Sequence, residues 1–242
     1  MPLASLRTLR TFPKALKFDG ENDYVKVADN PSLDITNQIT LEAWVKLTVK
    51  NKLQAVLRKE GAYDLMVMSD NRLNMVLWSA TEGYIAGSNV LKTNTVLDTD
   101  IWYRLAGSYD GEYVRLYVND VLDKTSSKDE DTIKVNAEDF YVGCYEEINY
   151  FLDGSIAIIR VYNVSLTETQ LRYNFNHPLN PVTSGLVLWL DWTSIDIANG
   201  KWLDRSGYNN HGTIYNATLE TIIKNKARSL SAVSSTHLTL PT

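Results

Sequence analysis

WYRLAGSYDGEYVRLYVND, residues 102 to 120, decides the fold. Two runs with strand-like alternation meet at Asp110 and Gly111, residue types that tolerate the positive φ angles of a type I′ hairpin turn. Along residues 113–119 the alternation sets Val114, Leu116 and Val118 on one face, and Tyr113, Arg115, Tyr117 and Asn119 on the other. The first face is predicted to line a core. The second either packs under a loop or offers aromatic and basic side chains to a ligand.

Outward from this hairpin, short runs rich in Val, Ile, Leu, Tyr and Trp recur about every ten residues, separated by Gly, Asn and Asp, which is the rhythm of an all-β chain. Strands are predicted at 15–18, 24–27, 39–47, 54–59, 63–68, 72–78, 102–109, 113–119, 139–144 and 154–163. Ser69, Asp70 and Asn71 supply a second hairpin turn. One helix is expected over 165–175, opened by a Ser165–Glu168 capping box ahead of an apolar register at Leu166, Leu171 and Phe175. The predicted architecture is a two-sheet antiparallel β-sandwich, or jellyroll, with one short helix after the last strand. Trp44, Trp102 and the Val114, Leu116, Val118 row are expected to be sealed between the sheets.

At HPLNPVTSG, residues 177–185, two prolines, an asparagine and a Ser-Gly pair break every period, which places a boundary there. The expected organisation is an N-terminal extension over 1–14, the sandwich over 15–178, a linker over 179–184 and a further strand-bearing segment over 185–225. Residues 226–242 have small polar side chains and no period, and are expected to be a disordered tail.

Bulk properties narrow the function classes. With 44% hydrophobic and 22% charged residues among 242, the chain has the composition of a globular protein large enough to hold a core without staples. A net charge of −5 argues against a nucleic-acid partner, because phosphate binders carry a basic patch. No apolar run is long enough to insert in a membrane, and MPLASLRTLRTFPK has no apolar stretch behind its basic residues, so no signal peptide is expected in this chain. Cys144 is the only cysteine and is expected to be a small buried hydrophobe. His177, His211 and His237 have no Cys, Glu or His neighbours at metal-ligand spacing.

Five fragments, in order, resemble the laminin-G-like jellyroll family, also described as concanavalin A-like lectin or glucanase domains. ALKFDGENDYVKVADNPSLDI looks like its opening strands, ITLEAWVKL its third strand, and WYRLAGSYDGEYVRLYVNDVL its central hairpin. YVGC and FLDGSIAIIRVYNVSLTETQL look like its closing strand and helix. Beyond the boundary, GLVLWLDW and DRSGYNNHGTI resemble the lead-in to another copy, so 185–225 is either the truncated start of a second module or an accessory strand of the first.

The resemblance implies a non-catalytic recognition or adhesion module of a larger surface, secreted or virion protein, binding a glycan or a protein partner through edge loops. A structural spacer or assembly subunit is the alternative. A glycoside hydrolase of this fold would need carboxylates at i, i+2 and i+4 along a strand. The only triple at that spacing, Asp19, Glu21 and Asp23, straddles Gly20 and Asn22 in a loop, so no catalytic residues are assigned. Trp78 and Tyr84, flanking the 79–88 loop, are the candidate ligand-binding residues, since an exposed ring can stack on the apolar face of a sugar. The bland reading is a lid over the core.

The oxygen-rich DGEND loop suits a hard cation, with Asp19, Asn22 and Asp23 as candidate calcium ligands. The resemblance implies a further carboxylate in the closing strand, where this chain has Ala157, while Asp153 lies four residues earlier. Without a metal, Asp19 and Asp23 would simply cap the turn.

Overall fold

A computed structural model describes residues 11–81 and 83–221. In chain order the strands begin with β1 (Lys14–Asp19), β2 (Tyr24–Val27), β3 (Ile39–Leu47), β4 (Gln54–Lys59), β5 (Tyr63–Val67) and β6 (Leu73–Leu77). There follow β7 (Trp102–Tyr109), β8 (Val114–Val118), β9 (Val121–Thr125), β10 (Phe140–Val142) and β11 (Asp153–Tyr162), then the helix α1 (Glu168–Asn176). The chain continues through β12 (Leu186–Asp191), β13 (Ile195–Asp196), β14 (Lys201–Trp202), β15 (Gly212–Tyr215) and β16 (Thr218–Thr221).

Two antiparallel sheets of eight strands face each other. The first runs β16-β1-β11-β3-β7-β8-β9, with β12 also paired to β11; the second runs β13-β14-β15-β2-β10-β4-β5-β6. The ten-residue β11 is long enough to take β1 along residues 153–156 and β12 along 158–162, with a register shift at Ala157 in its pairing with β3. Residues 185–221 feed both sheets: β12 joins β11, β15 joins β2 and β16 joins β1.

The core between the sheets is built from alternate residues, as the period of a strand requires. Leu41, Ala43, Val45 and Leu47 of β3 meet Leu57, Leu65, Val67 and Met75 of the second sheet, and Val114, Leu116 and Val118 join the same cluster as expected. Trp44 and Trp102 do not. If Ala43 and Val45 point inward, Trp44 must point outward, and it does so with Trp102 on the far face of the first sheet. That face is also buried, because Phe12, Leu166, Leu171, Trp189 and Ala157 make a second apolar cluster there. Phe12 contacts the rings of Trp44, Trp102 and Trp192 at centroid distances of 5.1, 4.9 and 4.9 Å. Tyr117, on the outward face of the hairpin, belongs to this cluster too.

A charged network lies beneath the same cover. Glu42, outward like Trp44, pairs with Arg104 and, at 3.1 Å, with Arg160, while the Asn174 amide of α1 donates to both carboxylate oxygens at 3.2 Å. All four side chains are buried.

Two local readings are corrected. The helix begins at Glu168 rather than Ser165, and its capping box is Thr167 with Gln170. Leu166 is buried, with its N–H donating to Thr40 Oγ1, which holds the lead-in extended. The β7–β8 turn is wider than a two-residue type I′ turn: Tyr109 pairs with Val114, leaving four residues between. Only Gly111 takes a positive φ, +96°, while Asp110 Oδ1 accepts the N–H groups of Glu112 and Tyr113. The Ser69–Asn71 turn forms as predicted, with Asn71 at φ +60°.

Candidate functional site

Among the described residues no α-helix covers the outer face of the second sheet, which is buried over β4, β5 and β6 and open over β15, β2 and β10. Its side chains are the outward alternates of strands whose other alternates fill the core, and cross-strand register aligns them. Lys201, Thr213, Lys26, Tyr141, Arg58 and Asp64 form one row across β14, β15, β2, β10, β4 and β5. One pleat along, Tyr24 opposes Tyr215; their rings stack at 4.5 Å with 13° between planes, and Tyr24 lies 6.3 Å from Tyr141.

Arg58 is the hinge of this row. It is buried although it points away from the core, because Tyr145 covers its guanidinium at 3.4 Å and Trp78 lies 5.2 Å away. Its charge is shared between Asp64 and Glu60. Burial pushes the Asp64 carboxyl up to about 8, against the pull of Arg58.

The loop from Tyr145 to Tyr150 places three non-glycine residues in left-handed backbone, Glu146 at φ +51°, Glu147 at +63° and Tyr150 at +49°. Such angles carry a conformational cost and hold only where contacts enforce them. Here Glu147 takes a 3.1 Å ion pair from Lys26 and the Tyr141 hydroxyl at 3.3 Å. Lys26 holds the Glu147 carboxyl below the usual carboxylate range, while burial, then the Glu147 charge, pushes the Tyr24 and Tyr141 phenols up to about 12. The phenols therefore stay protonated as hydrogen-bond donors at neutral pH.

Trp78 and Tyr84 sit at one end of this face. They form a bridge, with rings 5.6 Å apart; Trp78 is half-buried and Tyr84 is 43% exposed. The tyrosines at positions 24, 141, 145 and 215 went unassigned in the sequence, though the alternation in YVKV already turns Tyr24 away from the core.

Asp19, Asn22 and Asp23 come together at the end of β1, where they line a shallow cleft with Lys17, Asn216 and Thr218. One oxygen of each carboxylate is already engaged within the loop. Asp19 Oδ1 accepts the N–H groups of Glu21 and Asn22, and Asp23 Oδ2 accepts the N–H of Asp19. Lys52 Nζ donates to the Gly20 carbonyl at 2.7 Å, and Asn216 Nδ2 donates to both oxygens of Asn22 at 3.1 Å. A calcium site needs six or more converging oxygens. An ammonium and an amide donor fill the place of a cation here, and among the described residues no cluster of three His, Cys, Asp or Glu could hold a metal. We infer that the loop is closed by protein donors rather than by calcium.

Of the other sequence candidates, Cys144 is buried, which pushes its thiol up to about 12. His177 caps α1 and stacks on Tyr173, and His211 accepts the N–H of Asp204; His237 and the 226–242 tail lie outside the described residues.

Two antiparallel sheets packed face to face, with a single short helix after β11, are consistent with a jellyroll. The chain belongs to the concanavalin A-like lectin/glucanases superfamily, whose family model matches residues 19–172. No curated protein matches it. Among solved structures, a protein from Bacteroides ovatus named as a candidate carbohydrate binding protein is similar at 22% identity and a TM-score of 0.70, over 88% of this chain. The chain spans 61% of that protein's length. Domain 4 of AbnA, an extracellular arabinanase from Geobacillus stearothermophilus in complex with arabinotriose, is similar at 19% identity and a TM-score of 0.52, over 69% of this chain and 78% of that domain. The CBM40 domain of a Ruminococcus gnavus sialidase, bound to α2,3 sialyllactose, is similar at 15% identity and a TM-score of 0.51, over 65% and 95%. At these identities the likeness is one of fold.

Proposed function

We propose that this chain is a non-catalytic glycan-recognition module of a larger surface or secreted protein, and that it binds on the outer face of the second sheet. The observation that carries this reading is the cross-strand set of Tyr215, Tyr24 and Tyr141, rimmed by carboxylates and phenolic hydroxyls. Aromatic rings take the apolar faces of sugars while acceptors and donors beside them take hydroxyls. From β15 through β2 to β10 the tyrosines cross two strand spacings, about 10 Å, which is room for one or two sugar units; beyond them the outward side chains Arg58, Asp64, Met66, Asn74 and Val76 of β4, β5 and β6 are buried. The carbohydrate-bound structures of like fold support the same ligand class. The edge loop bearing Trp78 and Tyr84 then forms one end of the platform rather than the whole site.

Catalysis is not part of this reading, because Asp64, Glu60, Glu147 and Asp139 are each tied to Arg58 or Lys26. A hydrolase needs one carboxyl free to give a proton beside a second free to attack or activate water. The test is titration calorimetry with a panel of oligosaccharides against the wild type and the Tyr24→Ala and Tyr215→Ala variants. Each variant is expected to weaken binding about tenfold, the worth of one stacked ring. Unchanged affinity in both variants would place the ligand elsewhere.

A further inference from the structure

Resting on that reading, we infer that the platform selects neutral oligosaccharides and rejects those carrying carboxylate or phosphate groups. A protein that binds an acidic sugar must offer a cation whose hydrogen bonds are not already taken, typically a guanidinium with its fork open to the ligand. The row carries three cations, Lys26, Arg58 and Lys201, and the two that flank Tyr141 are committed to carboxylates.

Arg58 is the only guanidinium in the row, and it is shut beneath Tyr145 and Trp78 with Asp64 and Glu60 on its nitrogens. Lys26 is held between Glu147 at 3.1 Å and Asp139 at 3.6 Å. Lys201, one strand beyond the Tyr24–Tyr215 pair, donates to Thr213 Oγ1 at 2.7 Å and makes no ion pair with a carboxylate among the described residues, so it is the one cation of the row within reach of an acidic group at that end. Against these three stand four carboxylates on the same side of the sheet, Glu60, Asp139, Glu147 and Asp196, Asp64 being buried with its carboxyl raised. Glu147 and Asp139 are the accessible ones, with side chains 37% and 32% exposed beside Lys26. A ligand carboxylate laid on the Tyr24 ring would meet these acids first, and like charges brought together on a half-desolvated face oppose binding. A neutral sugar meets the opposite situation, since carboxylate oxygens accept from its hydroxyls and protonated phenols donate to them.

The experiment compares matched ligands on the wild-type chain by calorimetry at low salt: galacto-oligosaccharides against galacturonate oligomers of equal length, and lactose-core oligosaccharides against sialyllactose. The neutral member of the pair that binds should be at least about tenfold tighter, and the gap should narrow at high salt as the repulsion is screened. Asp139→Asn and Glu147→Gln, each removing one acid of the rim, should narrow it as well. An acidic member that binds more tightly than its neutral partner, and loses that binding in Tyr24→Ala, would overturn the selectivity and leave the glycan platform standing. Failure of every ligand, neutral and acidic, across a broad array would overturn both.

Discussion

Glu42 does more than any other single charged residue to hold the covered side of the first sheet. Transfer from water costs a carboxylate several kcal/mol, and burial alone would raise its pKa; the guanidiniums of Arg104 and Arg160 outweigh this and hold the carboxyl below its ordinary value of 4.5. Glu42→Gln keeps the shape but leaves two buried guanidiniums facing a neutral amide. It is expected to cost about 3 to 5 kcal/mol in urea unfolding, and a cost under about 1 kcal/mol would show that the network is not needed. The pH dependence follows from the depressed folded value. Stability from Glu42 is complete above the unfolded pKa and is lost as pH falls through the depressed folded one, so wild type should lose more stability than Glu42→Gln as the pH is taken below the ordinary carboxylate value of 4.5.

Individual elements show what alternation can and cannot reveal. The bounds of β2, β3, β4 and β7 coincide with the runs read from the sequence, and Asp23 before β2 and Asp110 after β7 mark two of those ends. Which face of a strand looks inward is harder. Every residue of β3 except Lys46 is buried, so both alternates of ITLEAWVKL look like core, and Trp44 could be placed on the correct side only once α1, Phe12 and Trp192 were known to cover it. The platform was hidden for a different reason. Tyr24, Tyr141 and Tyr215 become neighbours through strand pairing between segments more than seventy residues apart, and nothing local to any of them sets that pairing. The DGEND loop was legible as an oxygen-rich turn but not as a closed one, since Lys52 and Asn216 reach it from distant strands. Its closure carries a prediction: calcium at millimolar concentration should leave the thermal midpoint where a chelator leaves it. A rise of several degrees on adding calcium would show that the loop opens to take the ion.

Across the whole molecule, residues 185–221 serve as strands of both sheets and as cover for the second apolar cluster through Leu186, Trp189 and Trp192. A chain stopped at residue 184 would leave the edges of β11, β2 and β1 without partners and Trp44 under an incomplete roof. Such a truncation is expected to be insoluble or to lose its near-ultraviolet tryptophan signal, and the longer chain to unfold in one calorimetric transition. Two separate transitions, with the 1–184 piece folded by itself, would show that the two segments are independent.

The pairing of β1 with β16 brings Lys14 directly opposite Thr221. Mechanical load entering through those two residues would therefore act crosswise on the ladder at its outermost rung, parting the contacts in succession like a zip. A module gripped in that way yields at low force from that corner, even while the tyrosine-bearing sheet on the other side stays intact.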